Sequence, residues 1–235
     1  GDILVSRSLG YLAAAKNGLS EDELLDLLAR DLDVYTWFLT TLFHTPPDLL
    51  RQARTYLAQK GPGGPRTATA EGLLARLQEA DRQIELRHFL TTLWEQGARL
   101  RLPVVLWSRL YADLEPYLAQ RTADGARLLT FYHPTTFGKA VDATYLGPDA
   151  SRARHRALGD YFEDQPLVRG DDPEAQPNLR KLSELPYQRA HAHQWDEVQA
   201  TLTDYRFLQA KVSAVGPQPL IDDYAAALEA GYEGQ

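Results

Sequence analysis

The stretch Leu102–Tyr145, LPVVLWSRLYADLEPYLAQRTADGARLLTFYHPTTFGKAVDATY, decides how this chain is read. Pro103 suits the first turn of a helix, where its missing N–H costs nothing. Val105, Leu106, Leu110 and Leu114 then recur at threes and fours, the spacing of one buried helix face, and Glu115-Pro116 ends the run. Asp124-Gly125 lies between two β-competent arms, Leu118–Thr122 and Arg127–Tyr132. That dipeptide takes the positive φ angles of a tight hairpin turn at little cost. After His133 the pattern is helical again, over Thr135–Leu146. Helix, β-hairpin and helix make a winged-helix outline, with a histidine at the corner where the wing meets the second helix.

Working toward the N-terminus, Leu4, Leu9, Leu12 and Ala13 mark a helix over Ile3–Ala15, and Lys16-Asn17-Gly18 supplies a left-handed stop. Ser20 with Glu23 three residues on is a capping box, and Leu24, Leu25, Leu27 and Leu28 give the new helix its buried side. Two helices across a Gly-Leu-Ser corner form a helix-turn-helix opening. Asp33–Phe43 is aromatic and apolar, either a continued helix or an irregular packed segment. Pro46-Pro47 opens a helix over Asp48–Gln59. Gly61-Pro62-Gly63-Gly64-Pro65 breaks the pattern as an exposed loop. A long helix over Ala70–Glu95 follows.

Toward the C-terminus, Gly147-Pro148-Asp149 is a break and the expected domain boundary. Beyond it come a helix over Arg152–Phe162 and a loop over Gly170–Asn178. Four more helices follow: Leu179–His191, Trp195–Thr203, Tyr205–Ser213 and Pro219–Ala230. Short helices joined by short turns predict an antiparallel stack like the start of a superhelical array, although no fixed period is visible. The expected fold is therefore mainly α. A winged-helix domain with a small hairpin wing and a helical insertion (1–147) precedes an α-helical superhelix segment (148–235).

Composition narrows the function. The chain has 235 residues and a formal charge of −7, whereas nucleic-acid binders carry a basic stripe and high pI. The absence of cysteine excludes disulfides, thiolate zinc sites and cysteine nucleophiles, and suits the cytoplasm. With no methionine, the expectation is a piece of something longer. Arginine far outnumbers lysine, which points to a GC-rich, bacterial coding sequence. No apolar run approaches the roughly 20 residues of a membrane span.

The chemistry-bearing residues are few. His133 can donate an imidazole N–H to a phosphate oxygen beside a helix start; on the residues alone, a histidine that simply caps or packs at the strand end is the plainer account. Arg152, Arg154 and Arg156 form a small basic patch for a phosphate or acidic partner, or simply a solvated helix side. His191 and His193 with Asp196 invite a metal, but imidazoles two apart do not share a helix face, and no metal site is expected. Glu21, Asp22, Glu23 and Asp26 at a helix start suit the helix dipole better than a catalytic pair. Trp37, Phe38, Trp107, Tyr111, Tyr117, Phe131 and Tyr132 are expected in the core. No Gly-x-x-x-x-Gly-Lys-Ser/Thr phosphate loop, Gly-x-Ser-x-Gly elbow or His-Glu-x-x-His motif occurs, so no catalysis by the chain itself is expected.

Several segments together resemble a known family: AAAKNGLSEDELLDLL, LPVVLWSRLYADLEPYL, ARLLTFYH, RHRALGDYFEDQP, NLRKLSELPYQRAHAHQWDEV and LTDYRFLQAKV. They look like the region that follows the ATPase core in bacterial NACHT-type STAND ATPases carrying C-terminal WD repeats. Residues 45–100 match that pattern poorly and look like a helical insertion.

The resemblance implies a switch for signal transduction, held closed by ADP and opened by ATP with magnesium, which oligomerises when triggered. It implies that the winged helix clamps the ATPase domain rather than DNA. The helical stack would link that domain to C-terminal sensor repeats. The nucleotide belongs to the parent protein; this chain is expected to bind none alone. In related switches a histidine at the wing-to-helix junction touches the ADP β-phosphate, and by position that is His133. Those switches follow the histidine with Asp or Arg, whereas here Pro134 follows. A DNA-binding winged-helix regulator and a plain helical protein–protein scaffold are the alternatives. Asp113 and Glu115 on the would-be recognition helix argue against DNA.

Overall fold

The structure is a computed structural model and describes residues 2–43, 47, 48, 51, 104–169 and 176–233. It is mainly helical, with two short antiparallel strand pairs among the described residues. The chain groups into two compact units. One joins Gly1–Arg7 to Leu25–Ala112; the other joins Ser8–Leu24 to Asp113–Gln235.

Three helices open the chain: α1 (Asp2–Ala14), α2 (Glu21–Arg30) and α3 (Leu32–Phe43). The aromatic run after Asp33 is thus a helix, not an irregular segment. Its start is fixed by Asp31, whose carboxylate accepts from the Asp33 and Val34 amides at 2.9 and 3.2 Å. Within the first unit Arg7 pairs with Asp31 at 3.1 Å and also with Asp33. Pro47, Asp48 and Arg51 are helical. The rest of the expected insertion, including the 61–65 loop and the 70–95 helix, lies outside the described residues. α4 (Val104–Leu114) follows; Leu110 and Leu114 of the predicted inner face are buried, and Trp107 is buried with them.

In the second unit a 3-10 turn (Glu115–Tyr117) leads into β1 (Leu118–Ala123), which pairs antiparallel with β2 (Ala126–Phe131). Asp124 at φ 50° and Gly125 at φ 70° turn the hairpin as their sequence predicts. Leu19, at the corner between α1 and α2, adds one bridge to the hairpin. Its amide and carbonyl exchange hydrogen bonds with Leu129 at 3.1 and 2.7 Å. The Ser20–Glu23 capping box forms as read, at 2.8 and 3.2 Å.

After β2 the chain takes a π-type turn (Pro134–Gly138) before α5 (Lys139–Tyr145), where a plain helix from Thr135 was expected. α6 (Pro148–Glu163) starts earlier than expected, because Pro148 itself occupies the first helical turn. A short antiparallel pair joins β3 (Val168–Arg169) to β4 (Gln176–Pro177), whose residues fall within the expected Gly170–Asn178 loop.

α7 (Leu179–His191), α8 (Trp195–Thr203), α9 (Tyr205–Val215) and α10 (Gln218–Glu233) complete the chain. α7 is central to them: α6, α8, α9 and α10 all pack on it. Asn178 caps α7 through the Lys181 amide, and Asp204 caps α9 through the Arg206 amide.

Candidate functional site

The histidine corner is built from the end of β2. The Tyr132 amide donates to the Tyr117 carbonyl at 2.9 Å, so the strand keeps its register one residue past the hairpin. The His133 carbonyl then accepts from the Thr136, Phe137 and Gly138 amides at 3.3, 2.8 and 3.4 Å. This shared acceptor is what widens the turn into a π form.

Phe137 anchors the turn. Its ring stacks on Tyr117 at 4.9 Å and meets Phe131 edge-on at 5.3 Å. With Phe137 turned in, His133 faces out: its side chain is exposed and makes no cap hydrogen bond. Tyr132 was expected in the core and is instead 65% exposed, its ring edge-to-face with the imidazole at 4.7 Å. An exposed imidazole on a fixed backbone can offer one donor to an anion held by another domain.

The three arginines separate. Arg154 is 7% exposed and lies over the Tyr11 ring at 5.1 Å. Arg152 and Arg156 are exposed, and Arg152 pairs with Asp149 at 2.8 Å. Both line an open groove of about 520 Å³ whose other wall is His193. The spacing explains the split: on a helix, residues four apart share a face and the one between them points away.

His191 and His193 also diverge. The His191 ring lies 3.9 Å from Tyr187, while His193, at φ 57°, lies 5.6 Å from Trp195. Among the described residues no three of His, Cys, Asp and Glu are placed to hold a metal.

A buried polar hub went unread in the sequence. Arg180, 1% exposed, donates from Nε and Nη2 to both Glu23 oxygens at 2.9 and 3.0 Å. It also reaches Asp124 at 3.1 Å, Glu184 at 3.2 Å and the Gly18 carbonyl at 2.8 Å. Burial pushes its pKa down, but the Glu23 hydrogen bonds and the charges of Glu23, Glu184 and Asp124 outweigh this and hold it above its usual value. Glu184 in turn accepts the Lys16 and Asn17 amides, both at 3.1 Å, which are donors left over where α1 ends. One guanidinium thus ties the α1–α2 corner and the hairpin turn to α7.

The network runs on to His155. Gln188 donates to the Ala14 carbonyl at 3.0 Å and to Glu184 at 2.8 Å, so its Oε1 is left to accept from His155 Nδ1 at 2.7 Å. Burial pushes the His155 pKa down to about 4; the Gln188 bond opposes this, and His191 and His193 add to it. The unfolded chain takes up this proton near 6.5, the folded chain only near 4. Stability from this site is therefore complete at neutral pH and is lost as pH falls below 6.5. Between pH 7 and 4.5 the expected loss is about 2–3 kcal/mol. Urea midpoints at those two pH values should lie closer together in His155→Gln than in wild type; an equal separation in both would mean that His155 titrates alike in the folded and unfolded chain.

Comparison with known proteins places the chain near one class, NACHT-domain proteins with WD repeats. It is similar to "NACHT domain- and WD repeat-containing protein 1" of Homo sapiens, 27% identical over 251 aligned positions that cover 95% of this chain. The protein of the same name in Mus musculus is 27% identical over 252 positions. The chain spans only 13% of the length of these relatives. None of the protein-family models matches it, and no solved structure does. Among the described residues no helix is long and apolar enough to cross a membrane.

Proposed function

We propose that this chain is a regulatory and interaction segment of a STAND-type switch ATPase. It would clamp a nucleotide-bound ATPase core and link that core to a sensor array, with no catalysis of its own. The winged-helix reading is supported by the helix, hairpin and helix order and by the Leu19 bridge that extends the hairpin. The names of the relatives, and the small fraction of their length that the chain spans, support a segment of a larger NACHT protein. In this reading residues 1–147 form the winged helix with its insertion, and 148–235 begin the superhelix.

The observation that carries the nucleotide role is the exposed imidazole of His133 on a backbone locked by the π-type turn. ADP or ATP, with magnesium, is bound by the core, and His133 supplies one donor to a phosphate oxygen. Pro134 removes the charged neighbour that related switches carry, so His133 acts alone at this corner. Arg152 and Arg156 offer an outward pair for an acidic partner surface; Arg154 serves packing. The test is ADP release from the longer protein that carries both the core and this segment. His133→Ala is expected to release ADP faster than the parent.

A further inference from the structure

Arg189 of α7 is 6% exposed, and both of its side-chain hydrogen bonds leave from Nη1, to Asp160 at 2.7 Å and to Gln194 at 2.8 Å. Gly159 of α6 lets the side chain lie close, since a Cβ there would come within 3.1 Å of Cδ and 3.4 Å of Nη1. The guanidinium is thus fixed from its Nη1 side. Its Nε is buried and makes no hydrogen bond. The edge formed by Nε and Nη2 is one that grips a carboxylate with two parallel bonds. Arg180 has that edge in use, on both oxygens of Glu23. In Arg189 the same edge has no partner among the described residues.

Arg189 lines a cleft of about 440 Å³ between α6, α7, α8 and α9. Leu185, one turn before it on α7, and Phe207 of α9 give the cleft its apolar wall. Lys181 is the other cation there, and its ammonium is held by the Glu163 and Gln165 carbonyls at 2.8 and 2.9 Å. Glu163, Glu197 and Asp204 line the cleft as exposed carboxylates. Gln194 links one of them to the arginine: its Oε1 accepts from Arg189 Nη1, and its Nε2 donates to Glu197 Oε1 at 3.4 Å. A carboxylate therefore stands one amide away from the guanidinium.

We propose that this cleft binds a free α-amino acid with an apolar side chain. The ligand carboxylate pairs with Nε and Nη2 of Arg189, its ammonium pairs with Glu197, and its side chain rests on Leu185 and Phe207. A plain anion on Arg189 would face Glu197 with like charge, and a plain cation on Glu197 would leave the buried Nε without an acceptor. A molecule with both charges on neighbouring carbon atoms satisfies both groups at once. The volume falls in the range of small-ligand sites. The site is independent of His133 and its nucleotide.

Titration calorimetry on the whole chain tests it, with leucine and phenylalanine as probes. One of them should bind saturably at one site. Leucinamide, which lacks the carboxylate, and N-acetyl-leucine, which lacks the ammonium, should each bind roughly 10- to 100-fold more weakly than leucine, the effect of losing hydrogen bonds to a charged group. Arg189→Gln should abolish binding. Glu197→Gln, at an exposed position that leaves folding intact, should weaken leucine about tenfold. No saturation by either amino acid at millimolar concentration would overturn the proposal. So would leucinamide or N-acetyl-leucine binding as tightly as leucine, or a Glu197→Gln variant with unchanged affinity.

Discussion

Arg180→Ala should unfold the second unit under conditions where the wild type is fully folded. The side chain serves three carboxylates and one backbone carbonyl in a place that water does not reach. Without it Glu23 and Glu184 are buried charges facing each other with no cation between them. Breaking a buried pair in this way costs about 3–5 kcal/mol, against a total stability of roughly 5–15 kcal/mol for a typical domain. Arg180→Lys should rescue little, because one ammonium cannot span both Glu23 oxygens, Asp124 and Gly18 as the planar fork does. Urea unfolding followed by circular dichroism reads both effects. A midpoint unchanged in Arg180→Ala would show that the hub adds nothing to the fold; one fully restored in Arg180→Lys would show that a charge alone, without the planar fork, is enough.

Gly18→Ala is the second large effect. Gly18 is at φ 89°, and a Cβ there would lie 2.3 Å from the Leu129 carbonyl oxygen. That oxygen is the acceptor for the Leu19 amide, so the methyl group would push apart the bridge between the α1–α2 corner and the hairpin. The left-handed backbone adds its own penalty of about 1–2 kcal/mol, and the clash brings the total to roughly 2–4 kcal/mol. The melting temperature should fall by roughly 5–15 °C. Gly147→Ala is the control: nothing lies within 4 Å of its Cβ position and its φ is −62°. If both substitutions lower the melting temperature equally, the clash is not the cause.

What the sequence makes legible here is local. Asp124-Gly125 specifies its turn from two residues, and Ser20 with Glu23 specifies a cap from four. The hub is not legible in that way, because Arg180 and Glu23 are 157 positions apart. One trace was present: Arg180, Glu184 and Gln188 lie four apart on a single face of α7. Their stripe reads as solvated until the fold shows that this face is buried. Glu23 shows the same limit, since a capping carboxylate also has a second oxygen to share.

Arg154 could have been separated from its neighbours by helical geometry alone, for Arg152 and Arg156 are four apart and it lies between them. Tyr132 misleads for the opposite reason. Alternation along β2 assigns it no buried place once Phe131 is inward, yet its apolar ring suggests a core. The π-type turn needs Phe137 seated between Tyr117 and Phe131, a contact that no local pattern announces.

The nucleotide role of His133 is the central claim, and the ADP dissociation rate tests it most directly. It should be measured on the longer protein containing the ATPase core, as parent and as His133→Ala. Loss of one hydrogen bond to a charged phosphate is worth about 1.5–3 kcal/mol, so ADP should leave roughly 10- to 100-fold faster from the variant. An unchanged dissociation rate, with the variant folded as the parent is, would contradict the account.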